Sequence, residues 1–163
     1  RPPMEPTEKC LTVHQPYAAL LCLGLKQFET RTRRTNVRGT IVIHAARTLP
    51  IARGEIRRYG RFEMLRDDDG LMLVGDQLPR GHIRLPVGAF IGTCYLSDCS
   101  QVTVEDLAAG KYSRDEIAVG DFTPGRWLWH VQSPRTFPPI PGPGRLGFFN
   151  VELRQLKAGK VDR

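Results

Sequence analysis

The chain has 163 residues, 40% of them hydrophobic and 25% charged, which suits one soluble domain with a real core and leaves little room for two. Its apolar runs fall far short of the roughly 18 residues that span a bilayer, and no charged-then-apolar leader pattern is visible, so neither a membrane role nor secretion is expected. The net charge of +7 is uneven: residues 1–66 hold 13 Lys/Arg against 5 Asp/Glu, residues 67–163 hold 11 against 12. An excess confined to the first part of the chain suits an anionic ligand, nucleic acid being the commonest, although a solvated basic surface would look the same.

Residues 1–9 read as an N-terminal extension, 10–156 as one domain and 157–163 as a tail. Cys10-Leu11-Thr12-Val13 is β-compatible. Pro16 suits the first position of a helix, Ala18 to Leu23 reads helical, and Gly24 is a natural stop. Lys26 to Arg33 has period-2 character, with Lys26, Phe28, Thr30 and Thr32 on one side and Gln27, Glu29, Arg31 and Arg33 on the other. After a turn at residues 36–39, Thr40 to Ala46 is the clearest strand, β-branched and nearly all apolar. Pro50 to Arg66 shows helical spacing of Ile51, Ile56, Tyr59, Phe62 and Leu65, weakened by Gly54 and Gly60.

Residues 70–87, with Gly75, Pro79, Gly81 and Pro86, read as a long, partly irregular connection. Ala89 to Leu96 is a strand, Thr103 to Leu107 a capped helical turn, and Arg126 to Val131 a strand with Trp127, Trp129 and Val131 on one face. Pro134 to Pro143 is expected to be an extended, rigid crossing, and Phe148 to Leu153 a last strand. Five or six strands with two or three helices, in the order β-α-β-β-α-β-α-β-β, predict an α+β fold: a small, closed or half-closed mixed β-barrel with peripheral helices.

Cys10, Cys22 and Cys94 lie in apolar stretches, so reduced thiols and a cytoplasmic setting are expected. Cys94-x4-Cys99 lacks a second ligand pair, so no metal site and no cofactor are expected. Motifs for a catalytic serine elbow, a zinc protease, a phosphate loop or a dinucleotide are absent.

The stretch Gly24-Leu-Lys26-Gln-Phe-Glu29-Thr-Arg31 is the chemically dense one. Lys26 and Glu29 together can do proton-transfer work, and Arg31 offers a planar fork for phosphate or a base edge. An exposed charged strand is the plainer alternative. Strict alternation would put Lys26 and Glu29 on opposite faces. For both to line one cleft, the strand must begin after Lys26.

Gly24, Lys26, Glu29 and Arg31 match, position for position, the Gly-x-Lys-x-x-Glu-x-Arg signature that the chain shares with the ASCH superfamily. Leu11 to Ala18 upstream and Gly39 to Ala46 downstream also resemble that family. So do Gly88 to Gly92, Trp127 to His130, and Pro139-Ile140-Pro141 with Gly144 to Gly147, so the resemblance covers most of residues 10–153. It implies a PUA-like barrel with the motif lining a cleft, and nucleic-acid binding. Some small bacterial members hydrolyse acylated cytidines and others are described as ribonucleases. The amidohydrolases carry Thr where this chain has Glu29.

Three functional readings follow. The first is a nucleic-acid module, RNA favoured over DNA, or a nucleotide binder. Arg31, Arg33, Arg34 and Arg38 would contact phosphates, Tyr17, Trp127 or Trp129 would stack on a base, and His14, Gln15 and His44 would complete the cleft. The second is a ribonuclease or a hydrolase of a modified nucleoside, with Lys26 and Glu29 as the acid/base pair. The third, an adaptor, rests only on the proline-rich segment.

Overall fold

The computed structural model describes residues 7–59, 62–66, 72–75 and 83–161. In chain order, β1 (Thr7–Val13) leads into α1 (Tyr17–Cys22), β2 (Phe28–Arg31) and β3 (Gly39–Ala45). Four short strands follow, β4 (Ile56–Tyr59), β5 (Phe62–Arg66), β6 (Met72–Gly75) and β7 (Ile83–Leu85). Then come β8 (Ala89–Gln101), α2 (Val104–Ala108), α3 (Arg114–Ala118), β9 (Trp127–Pro141), β10 (Phe148–Glu152) and α4 (Leu153–Val161).

Six strands make the main sheet, in the order β10-β1-β3-β8-β9-β2. Only β1 and β3 are parallel, and the other pairs are antiparallel. The long strands β8 and β9 slip register three times along their pairing, and β3 and β8 once, between Ile43 and His44. Each irregularity bends and twists its strand, and together they curl the sheet into a half-barrel. The result is the α+β, PUA-like architecture expected from the sequence.

The core fills the inside of this curl. Leu11, Val13, Ile41, Ile43, Ala45, Ile91, Cys94 and Leu96 meet Ala18, Leu21 and Cys22 of α1 and the ring of Trp129. A second cluster, Cys10, Val42, Phe90, Ile140, Val151 and Leu156, forms on the other face and receives α4. Burial pushes the thiols of Cys10 and Cys94 up to about 12 and that of Cys22 up as well, which leaves them as small hydrophobes. No helix among the described residues is long and apolar enough to cross a membrane.

Most expected elements are found, with three corrections. Residues 50–66 are not a helix: they contribute β4 and β5 to a second, antiparallel sheet in the order β4-β5-β6-β7. The helical spacing competed with two glycines and with a period-2 pattern that pairs Arg58 with Glu63 across the two strands, their charges 2.7 Å apart. Met64 is fully buried and joins the main core with Ile51 and Leu85. The connection expected at 70–87 contains β6 and β7, its remaining residues lying outside the described ones except Pro86 and Val87. Two helices, α3 and α4, come in addition to the expected ones. The proline-rich segment is extended as expected, but as part of β9, with Ile140 paired to Phe90 and Arg135 to Thr93.

Gly92 marks the tightest place in the curl. A Cβ there would stand 2.2 Å from the Arg135 carbonyl oxygen and 2.8 Å from Cys22 Sγ. Backbone cannot move aside cheaply, so Gly92→Ala is expected to destabilise the fold by about 3 kcal/mol or more, the upper end of an overpacking penalty. Gly110→Ala, in open space at φ +68°, should cost only the left-handed strain of about 1 kcal/mol. Urea denaturation of the two variants checks the order, and a Gly92→Ala as mild as Gly110→Ala would contradict it.

Candidate functional site

The site begins with how α1 ends. Gly24, at φ +76°, donates to Leu21 O (3.3 Å), and Leu25 donates to Leu20 O (2.9 Å), the paired bonds of a Schellman stop. Lys26 N also donates to Leu20 O (3.1 Å), so Lys26 belongs to the turn and the strand starts two residues later, at Phe28. The strict alternation read from sequence is thereby broken, and Lys26 and Glu29 line the same cleft.

A carboxylate from α3 holds this turn. Ser113 caps α3 by accepting from Glu116 N (3.1 Å). The Glu116 side chain leaves its own helix and accepts from the amides of Gln27 (3.0 and 3.1 Å) and Phe28 (3.0 Å). Lys26 is 1% exposed, and its Nζ donates to Val119 O at 2.6 Å just beyond α3. It lies 5.6 Å from the centre of the Tyr17 ring. Desolvation lowers the lysine's pKa, while the charges of Glu29 and Glu116 oppose that shift. Gly120 keeps the place open, since a Cβ there would sit 3.2 Å from Lys26 Nζ.

Glu29 pairs with Arg31 rather than with Lys26. Its Oε2 accepts from Arg31 Nε (3.0 Å) and lies 2.8 Å from Nη2. Arg31 Nη2 also donates to Thr12 O (3.3 Å), and its guanidinium lies over the Trp129 ring at 5.5 Å. Thr12 is on β1 and Arg31 on β2, which lie far apart in the sheet order. Arg31 thus bridges the open seam of the half-barrel.

The seam widens into a cleft of about 870 Å³. Its walls are β2, the stretch 118–121, the ends of β1 and β3, and the loop 143–147. The cationic groups are Lys26, Arg31, Arg47, Arg126 and Arg145, and the carboxylates are Glu29 and Asp121. Asp121 lies 3.5 Å from Arg126, and hydrogen bonds from Thr123 hold its carboxyl below the usual range.

His44 ties the loop to the floor. Its Nε2 donates to Gly142 O (2.8 Å), which leaves Nδ1 as the acceptor for the Thr12 hydroxyl (3.3 Å). Thr12 Oγ1 in turn accepts from Arg145 N (3.3 Å). Burial lowers the His44 pKa and keeps the ring neutral.

Of the residues expected from sequence, His14, Tyr17, Lys26, Glu29, Arg31 and His44 line the cleft. Gln15 does not: it is fully buried, accepting from Ala19 N (3.0 Å) at the start of α1 and donating to Pro86 O (2.8 Å). Arg33, Arg34, Arg38 and Trp127 also lie outside it. Arg34 sits over the Trp127 ring at 5.8 Å, and Arg38 donates to Thr35 O and Val37 O. Sequence reasoning missed Thr12, Arg47, Glu116, Gly120, Asp121, Arg126 and Arg145 as site residues. The pattern Ser113-x-x-Glu116 would have announced α3, because Ser followed three residues later by Glu is a helix-start signal.

A mixed six-stranded sheet curled into a half-barrel, with short helices beside it, is the architecture of a PUA-like domain. The ASCH domain family matches residues 11–121, and the chain belongs to that family. ASCH domains have a PUA-like fold often linked to RNA binding. Among solved structures, the crystal structure of ASCH from Zymomonas mobilis is similar, at 16% identity and a TM-score of 0.53, over 95% of this chain and 94% of that one. A tyrosine-to-phenylalanine mutant of that protein, also at 16% identity, gives 0.53 over 94% and 96%. A serine-to-alanine mutant, at 16% identity, gives 0.51 over 94% of each chain. At this identity the likeness establishes the fold alone. No curated protein matches the chain.

Two outcomes test the site's electrostatics. Lys26→Met leaves the buried Val119 carbonyl without its donor and takes the cation away from Glu29 and Glu116, so it should lower the melting temperature by about 5 °C or more. An unchanged or raised value would show that the lysine's desolvation outweighs its contacts. For His44, folding favours the neutral ring. Its stability is undiminished above the free histidine value near 6.5 and declines as pH falls below it, by at most about 1.4 kcal/mol per pH unit. His130, also lowered chiefly by burial, acts with the same sign. Denaturation between pH 7.5 and 5 should show this fall, and His44→Gln should flatten part of it.

Proposed function

We propose that this protein binds single-stranded RNA, with one unstacked nucleotide seated in the cleft. The observation that carries the reading is the charge left over in the cleft. Glu29 is matched by Arg31 and Asp121 faces Arg126, which leaves Lys26, Arg47 and Arg145 without a carboxylate within ion-pair distance among the described residues. A volume of about 870 Å³ suits a nucleotide. A cleft between strands receives a splayed base better than a duplex groove, which favours single strands and RNA over DNA. Tyr17 supplies a ring at the cleft wall for stacking. Arg33, Arg34, Arg38 and Trp127, outside the cleft, would hold flanking phosphates and a neighbouring base. The setting we infer is cytoplasmic, consistent with free cysteines.

A second reading, hydrolysis of a modified nucleoside such as an acylated cytidine, is supported by one observation: Lys26 is desolvated and shares the cleft with Glu29. Turnover that disappears in Lys26→Ala would favour it. The direct bonds of the two side chains, to Val119 and to Arg31, weigh toward holding a ligand.

The binding reading is tested by fluorescence anisotropy with short RNA and DNA oligomers over a salt series. Log affinity should fall linearly with log salt. Arg47→Ala with Arg145→Ala should weaken binding to every sequence and reduce the slope by about 1.4, two contacts at about 0.7 each. No detectable binding to either nucleic acid at low salt would overturn the reading.

A further inference from the structure

The loop 142–147 forms one rim of the cleft, and its backbone is fastened to the floor. Gly142 N donates to Gly88 O (3.1 Å), Gly142 O accepts from His44 Nε2 (2.8 Å), and Arg145 N donates to Thr12 Oγ1 (3.3 Å). Two glycines let it lie this close. A Cβ at Gly142 would stand 2.5 Å from the Phe90 ring, and one at Gly144 2.5 Å from both His44 Nδ1 and Thr12 Oγ1. The loop has no room to sink further.

On this fastened rim stands Leu146, which lines the cleft and is 100% exposed. A single exposed apolar side chain needs no explanation on an open surface. Leu146 differs in its setting. Arg145 precedes it, Arg47 lines the same cleft, and the loop leading to it is tied to β1 at Arg145 N and to β3 at Gly142 O. Apolar side chains held beside Arg and Lys are what minor-groove binders insert between base steps to unstack them, and the same chemistry applies to a stacked single strand.

We infer that Leu146 is an apolar wedge. It rests against the nucleobase next to the one in the cleft and takes the place of the stacking neighbour that the strand gives up. This rests on the RNA-binding reading and adds a specific role: the cleft extracts a base from a stacked strand rather than waiting for a free one. The side chain contributes through base faces, whereas Arg145 and Arg47 contribute through phosphates, so the two roles separate by their salt dependence.

The experiment uses a single-stranded RNA oligomer carrying 2-aminopurine, whose fluorescence rises when it unstacks. The wild-type protein should bind with a rise. Leu146→Ser should bind about tenfold more weakly, keep the wild-type salt slope, and lose most of the rise at saturation. Its melting temperature should be unchanged, since the side chain has no packing to lose. Leu146→Met should restore the rise, and Arg145→Ala should lower the slope while keeping it. If the wild type binds and Leu146→Ser matches it in affinity and fluorescence, the wedge is wrong and the RNA reading stands. If the wild type binds no RNA, the RNA reading falls and takes the wedge with it.

Discussion

A curled sheet that does not close leaves two strand edges facing each other, and here a single guanidinium spans the gap. Arg31 reaches from β2 to the Thr12 carbonyl of β1, covers the Trp129 ring and is neutralised by Glu29 on its own strand. Trp129 in turn stacks on Phe148 of β10, with ring centres 5.4 Å apart. Both ends of the sheet order therefore meet around one cation. A lysine could supply the charge but not the planar fork, so Arg31→Lys would not be conservative in this place. Two of the four motif residues, Glu29 and Arg31, thus join the strands on either side of the seam where the cleft opens.

Lys26 occupies the other end of the same constraint. An ammonium removed from water needs acceptors, and the turn supplies the Val119 carbonyl together with the field of two carboxylates. Val119 and one of the two carboxylates, Glu116, come from some ninety positions along the chain, and Glu116 also satisfies the two amides that the turn leaves open. The position of Lys26 thus depends on α3 docking against the end of α1. A buried cation is costly to desolvate, and these partners are what hold it in place.

What could be read from the sequence follows the range of the forces involved. The first strand, the stop at Gly24, the β3 strand and the Thr103 cap were legible because each depends on neighbours within a few residues. The half-barrel followed from strand count and from family resemblance. The segment 50–66 misled because its apolar spacing satisfies a helix locally, while its strand pairing and the burial of Met64 are tertiary. The site divided in the same way. His14, Tyr17, Lys26, Glu29, Arg31 and His44 lie on elements flanking the motif, whereas Arg47, Asp121, Arg126 and Arg145 reach the cleft only through the curl. Gln15 lies buried at the start of α1 rather than on the cleft wall, and a buried helix-starting amide and a binding amide look alike in one dimension.

The remaining question, whether Lys26 and Glu29 grip or also transfer a proton, turns on what each already touches. An acid/base pair works when one partner can lose a proton and the other gain it at the reacting atom. Glu29 receives two donors from Arg31 on one oxygen, and Lys26 gives a short bond to a backbone carbonyl. Neither contact is with the other, and both restrain the side chains in place. Restraint of that kind holds a cation and a carboxylate at fixed places on the cleft wall. A threonine at position 29 could not neutralise Arg31 across the seam as the Glu29 carboxylate does.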